Sequence, residues 1–358
     1  MTRDELLALI HDGDVVSKVS LAGVDLAGAD LGGAILEGVD FRRANLTGAR
    51  LKEATILGCD FSEARLDQAN LHHTLTEKCV FAGASFVGAH LAVTKFLNAD
   101  LQTANFTSAA MPLVAILHSD LTDASFAGTN LDRGAIIDCT LGRVDFTGAN
   151  LKQTVLMKSE LGTAIFIGAR FELAVLMESK LAGQRFAGME LGLTQLMGAD
   201  LTGCDFTGAT LTQCNFKDAK LDGAKLDRAK LGSCLFVGAK LGHASLREAY
   251  LFQSIFIDAD LGGADLSGAN AQQCTFTRAR CQKARFDGAD LTYADFTHAD
   301  VSGANFSGAT LFRARFHKTV ETDTIGRSKA VALGDDRELA EAEAFLQKTR
   351  AMPGGSNG

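Results

Sequence analysis

Cysteine and histidine have the widest chemical reach of the residues in this chain, which carries eight of each. Cys59, Cys79, Cys139, Cys204, Cys214, Cys234 and Cys274 lie multiples of five apart, and Cys281 alone leaves that series. None forms the CxxC pair that redox and zinc centres use. His72 and His73 are the only adjacent histidines, and no third ligand lies near them in sequence. No HExxH, no GxSxG, no phosphate-binding glycine loop and no GxGxxG between a strand and a helix is present. Asp25, Asp30, Asn45 and Asn70 recur in step, so no two carboxylates stand apart as an acid and base pair. The expectation is a chain that is not an enzyme, with no catalytic residue, no metal site and no cofactor.

The element that positions these side chains is a five-residue beat, visible in Ala29-Asp30-Leu31, Ala44-Asn45-Leu46 and Ala199-Asp200-Leu201. Five is neither the period of a strand nor that of a helix. Taking the large apolar residue as the centre, centres fall at every fifth position from Leu21 to Phe316, 60 in all, without insertion or deletion. Leu, Phe, Ile or Met occupies 56 of them, the others being Thr76, Ala271, Cys281 and Val301. The residue two before the centre is small in 58 of the 60, broken only by Gln184 and Met189. Seven cysteines occupy that small position and Cys281 a centre, so they read as small buried hydrophobes. Gln184 reads as a satisfied core amide or a local bulge.

This pattern resembles the pentapeptide-repeat family, A(D/N)LXX, over about five-sixths of the chain. The resemblance implies a right-handed parallel β-helix of square section, four pentapeptides to a coil, with the centre and the small residue inward. The sequence supports the square by itself. Phe recurs every 20 residues from Phe86 to Phe206 and again from Phe216 to Phe316, so residue n is expected to stack on residue n+20. Cys59/Cys79 and Cys214/Cys234 then lie one layer apart, and thiols rather than disulfides are expected in a reducing compartment.

The fold expected is therefore an all-β solenoid, a right-handed quadrilateral parallel β-helix of about 15 coils, roughly 70 Å long at about 4.8 Å per layer. Short N- and C-terminal α-helices are expected to cap it, because bare ends would expose unpaired backbone and apolar floor. Residues 1–14 read as a capping helix: Thr2 and Glu5 form a capping box before Leu6, Leu7, Leu9 and Ile10, and Gly13 stops it. Residues 15–320 carry the repeats. Residues 321–358 read as a linker, an amphipathic helix begun by Asp335 and Asp336, and a disordered tail from Pro353. Leu339, Ala342, Phe345 and Leu346 on that helix are candidate dimer contacts.

Charge narrows the function. Lys and Arg number 35 against 43 Asp and Glu, a net charge of −8, so there is no basic footprint for direct nucleic-acid binding. No apolar run is long enough to span a membrane, and the first residues lack the order of a signal peptide, which reads as a soluble, cytoplasmic chain. The resemblance also implies two kinds of role, inhibition or protection of gyrase by an acidic rod that mimics DNA, and adaptor work in bacterial secretion and effector handling. Mimicry fits poorly: residues 15–320 hold 29 basic and 32 acidic side chains. A duplex carries one charge per roughly 1.7 Å, so a 70 Å mimic needs around 40 negative charges.

One outward column breaks the polar surface. It reads Leu97, Leu117, Ile137, Met157, Met177, Met197, flanked by Val155 and Val175 and by Val93, Leu113, Leu173 and Leu193 at the adjoining corner. Stacked 20 apart, these residues form one strip of roughly 300–400 Å², the size at which an apolar patch implies a partner. Methionine suits such an adaptable contact. The function expected is a non-catalytic scaffold or adaptor docking a protein partner, or a second copy in a homodimer, through this strip.

Overall fold

Two residues after every centre but Leu161 the backbone enters the left-handed region, as at Gly23 (φ 68°), Gly28 (φ 64°) and Gly33 (φ 68°), and this turns the chain through a corner. Glycine is common there because it alone adopts that conformation without steric cost. Most corners are closed by a bond from the next small residue to the centre's carbonyl, as from Ala29 N–H to Leu26 O at 3.0 Å. Four corners return the chain to its starting side one layer up. Coils are then laced by bonds such as Leu26 N–H to Asn45 O at 2.7 Å and Asn45 N–H to Val24 O at 3.0 Å. The structure, a computed structural model, describes residues 1–327 and 331–351, with α2 side chains as far as Phe345.

The result is an all-parallel β-solenoid with a helix at each end of the chain. Helix α1 (Arg3–His11) leads into β1 (Val16–Ser17), β2 (Ile35–Glu37), β3 (Thr55–Leu57), β4 (Leu75–Glu77), β5 (Lys95–Leu97), β6 (Ala115–Leu117), β7 (Ala135–Ile137) and β8 (Val155–Met157), and α2 (Arg337–Ala351) follows the solenoid. The strands form one sheet in sequence order, each residue paired with the one 20 places on, as Leu97 with Leu117 and Ile137 with Met157. Continuous strands therefore account for about seven turns, fewer than the 15 coils that the repeat count predicts. Beyond Met157 the 20-residue parallel pairing proceeds through single bridges, from Val155↔Val175 to Asp295↔Arg315.

The reason lies at one corner. On the side of β1–β8 the closing bond is missing at the centres from Leu36 to Leu156, the chain runs straighter, and three residues join the ladder. The freed N–H turns to a side chain one coil on: Val39 to Cys59 Sγ (3.3 Å), Ala99 to Ser119 Oγ (3.0 Å) and Ser159 to Ser179 Oγ (3.4 Å). From Ser179 N–H to Leu176 O (3.4 Å) and Ala199 N–H to Leu196 O (3.1 Å) the corner is closed again. Cys59 and Cys139 thus do more than fill space, since a thiol or hydroxyl at this corner satisfies backbone that alanine leaves open.

Inside, centres and small residues form one continuous apolar core. Ring centroids of Phe106 and Phe126 lie 4.8 Å apart, those of Phe236 and Phe256 4.7 Å, with planes nearly parallel. The column loosens to 5.9 Å between Phe166 and Phe186, where Gln184 replaces a small residue. Its amide donates to Leu161 O (2.6 Å) and Ala164 O (2.8 Å), so this core polar group is satisfied. Aspartate and asparagine before the centre close a local turn, as Asp25 Oδ1 accepts from Ala27 N–H at 3.1 Å and Asn45 Oδ1 from Thr47 N–H at 3.2 Å.

At the first coil, α1 starts in a capping box in which Thr2 N–H donates to Glu5 Oε2 (2.8 Å) and Glu5 N–H to Thr2 Oγ1 (3.3 Å), and Leu6 is fully buried. At the last coil, Leu333 pairs with Arg315, and the Arg327 guanidinium sits 4.2 Å over the Phe316 ring while bonding Glu321. A cation over the aromatic face covers the apolar floor without adding an edge.

Candidate protein-docking face

The corner-to-strand arrangement places the apolar strip on one side of the rod. Leu97, Leu117, Ile137 and Met157 end β5 to β8, and Val155 begins β8. Val175, Met177 and Met197 extend the same side by bridged coils. Val93, Leu113, Leu173 and Leu193 take the adjoining corner. None is buried: Leu113 is 47% and Leu193 38% exposed, and the others are half-buried because each is covered by its neighbours above and below.

The corner residues add a second property. Val93, Leu113, Leu173 and Leu193 have φ of 59°, 60°, 60° and 63°. Among the described residues these four are the only aliphatic side chains at positive φ; the other non-glycine residues there are polar, charged or, at Tyr293, aromatic. The left-handed region costs an L residue roughly 1–2 kcal/mol, and β-branched valine is among the least suited to it. Glycine would relieve that cost. The sequence carries the signal, because an aliphatic side chain stands at a corner that elsewhere holds glycine or, with Tyr293 as the exception, a polar or charged residue, yet only the backbone angles reveal it.

A cluster that sequence spacing hides lies beside the last coils. His298, His317 and Glu343 bring ligand-type atoms within 4.8 Å of one another. His317 is 2% exposed, and its Nδ1 accepts from Asp336 N–H at 3.1 Å. His317 Nε2 lies 3.5 Å from Glu343 and, among the described residues, makes no hydrogen bond. Glu343 accepts from Lys318 Nζ (2.6 Å) and bonds His298 Nε2 (2.9 Å). The ammonium of Lys318, foremost, holds the Glu343 carboxyl down to about 2. This is a clamp that fastens α2 to the solenoid.

Because Glu343 is lowered on folding, its tether is fully present above about pH 4.5 and is lost as pH falls toward about 2. Acidification over that window, and Glu343→Gln at neutral pH, are expected to raise hydrogen exchange in α2 while the coils stay protected. Unchanged α2 exchange in Glu343→Gln would contradict the clamp.

On α2 itself, Leu339 is 40% and Phe345 67% exposed, Ala342 is exposed, and the side chain of Leu346 lies outside the described residues. Leu339 lines a groove with Thr297, His298 and Leu333.

Burial dominates most of the cysteines, while Cys59 is lowered, foremost by its hydrogen bond with Cys79. All eight are buried free thiols, and burial pushes Cys139 up to about 11 and Cys204, Cys214 and Cys274 to about 12. Several outward carboxylates are matched by cations one coil away, as Arg278 with Asp258 (2.7 Å), Arg280 with Asp260 (2.7 Å), Arg247 with Asp227 (2.6 Å) and Arg143 with Asp123. A neutralised ladder does not present the uncompensated charge of a duplex. Among the described residues no helix is long and apolar enough to cross a membrane.

Two family models match the sequence, "Pentapeptide repeat region" over residues 209–286, and "Pentapeptide repeats (8 copies)" over 20–56, 44–75, 119–161, 136–172 and 289–319. No curated protein matches. Among solved structures, the chain is similar to HetL, a pentapeptide repeat protein involved in heterocyst differentiation regulation from the cyanobacterium Nostoc sp. strain PCC 7120, at 21% identity over 88% of this chain and 96% of that one, with a TM-score of 0.31. It is also similar to QnrB1, a plasmid-mediated fluoroquinolone resistance protein, at 19% identity over 52% and 92%, with a TM-score of 0.37. A third is Rfr23, a pentapeptide repeat protein from the cyanobacterium Cyanothece 51142, at 20% identity over 38% and 91%, with a TM-score of 0.13.

Proposed function

The chain belongs to the pentapeptide-repeat family, and we propose that it is a non-catalytic scaffold whose apolar side strip docks a protein surface. The observation that carries this reading is the set of aliphatic residues at left-handed corners, Val93, Leu113, Leu173 and Leu193. Four apolar side chains held at a steric cost, and aligned with six more in one outward column, serve no purpose in the core. They supply contact area. Flat, stacked and half-exposed, the strip offers a rigid platform whose methionines adjust to a partner's contours. Nothing comparable in charge supports duplex mimicry of a topoisomerase substrate.

The test is Met157→Glu combined with Met177→Glu. Both residues face outward, so the core stays intact, while two carboxylates in the centre of the strip oppose burial. The variant is expected to lose self-association in sedimentation or the retention of a bound protein. If it sediments and captures as the wild type does, the docking reading fails.

A further inference from the structure

The strip's occupant can be read from its symmetry; this step rests on the docking reading above. We infer that the strip is a homodimer interface, in which a second copy of this chain lies antiparallel across it about a two-fold axis placed midway between the coils of Ile137 and Met157. A two-fold axis that lies in the face, across the rods, sets each outward column against itself in reverse order. Column after column is then self-complementary.

Apolar residues meet apolar residues. Ile137 faces the second copy's methionine at 157, Leu117 that at 177, and Leu97 that at 197. In the strained corner column Leu113 faces Leu173 and Val93 faces Leu193, while the polar Arg133 and Gln153 face each other between them. The four left-handed aliphatics are thus distributed as a palindrome about the axis.

Charges meet opposite charges. Along the rim that follows the strip, Asp138 faces Lys158 and Lys78 faces Asp218, and the His118 ring, which bonds Asp138 in its own copy at 2.9 Å, faces Glu178. Along the opposite rim Asp132 faces Lys152. Where the apolar column ends, Glu77 at one end faces Lys217 at the other. No like-charged pair arises in these columns, and the rim residues Asp138, Lys158 and Glu178 are exposed.

Other registers lose this match. Moving the axis to lie between Met157 and Met177 sets Leu117 on Lys217 and Leu193 on Arg133. Centring it on the coil of Ile137 sets Asp138 on its own copy. A parallel pair brings the two rims together and sets His118 against Leu113 and Glu178 against Leu173. The antiparallel pair also closes on itself, so it yields dimers and not fibres.

The area suffices. Seven steps of about 4.8 Å from Glu77 to Lys217, about 15 Å wide, bury roughly 500 Å² on each copy and about 1,000 Å² in total, at the lower end of specific interfaces.

The experiment is sedimentation velocity of the full chain from about 0.5 to 50 μM, using Asp138→Lys, Lys158→Asp and an equimolar mixture of the two. Each dimer contains the Asp138–Lys158 contact twice. Either variant alone sets like charges together at both places, and dimerisation is expected to weaken about tenfold or more. In the mixture every such contact is again opposite in sign, so dimers return, which a misfolded variant could not do. A mixture as weak as its components overturns the register. A wild type that stays monomeric at 50 μM overturns the second-copy inference, and the docking reading is then judged by whether Met157→Glu with Met177→Glu loses a captured protein. If that variant becomes monomeric while the charge variants still dimerise, the docking reading stands and the register falls. If the wild type dimerises and no variant changes it, both fall.

Discussion

Phe126→Ala is expected to destabilise the chain by about 3–5 kcal/mol. Phe126 is fully buried and stacked between Phe106 (4.8 Å) and Phe146 (5.2 Å). Each coil touches only its neighbours, so a hole at one layer weakens two interfaces at once. The coils around residues 106–146 are expected to exchange amide hydrogen faster than those near either end, and urea unfolding is expected to lose its single cooperative step. A loss of less than about 1 kcal/mol, with uniform exchange, would show that the aromatic columns do not couple the coils.

The second large effect separates stability from binding. Leu113→Gly with Leu173→Gly removes two side chains from left-handed corners, where glycine adopts φ near 60° freely. Relief of roughly 1–2 kcal/mol per site is set against glycine's greater unfolded-state entropy and the loss of stacking between leucines, so monomer stability is expected to stay within about 1 kcal/mol. Self-association is expected to fall about a hundredfold or more, since a dimer loses four leucines from its interface at roughly 1 kcal/mol each. Thermal denaturation and sedimentation on the same samples measure the two sides. A variant that is much less stable and still dimerises would mean that the corner leucines serve the fold and not the contact.

Much of this was legible in the residues. An unbroken five-residue register determines which side chains point inward, and the phenylalanine columns reveal the 20-residue coil, because rings of one size stack best on rings of the same size. The strip could be read for the same reason, since the outward column holding Leu117, Ile137 and Met157 keeps its order once the coil length is known. What escaped is what the register does not encode. Whether a corner closes by its own backbone bond, or turns its N–H to a side chain one coil on as at Val39, Ala99 and Ser159, is not written in the repeat pattern, which is the same in both cases. The contacts of Arg327 with Phe316, and of Glu343 with His298 and His317, join residues outside the repeat to residues within it, so no periodicity announces them. The palindrome emerges only when corners and strands are assigned to one face.

The most direct test of the methionine column is its reactivity toward peroxide in dilute and in concentrated solution, read residue by residue by mass spectrometry. Met111 is a fully buried centre and Met1 is an exposed terminus, so the first is expected to resist and the second to react at both concentrations. Met157, Met177 and Met197 are expected to oxidise in dilute solution and to become protected as the concentration rises through the micromolar range. Resistance of all three in dilute solution, or equal reactivity at both concentrations, would contradict an external strip that a second copy covers.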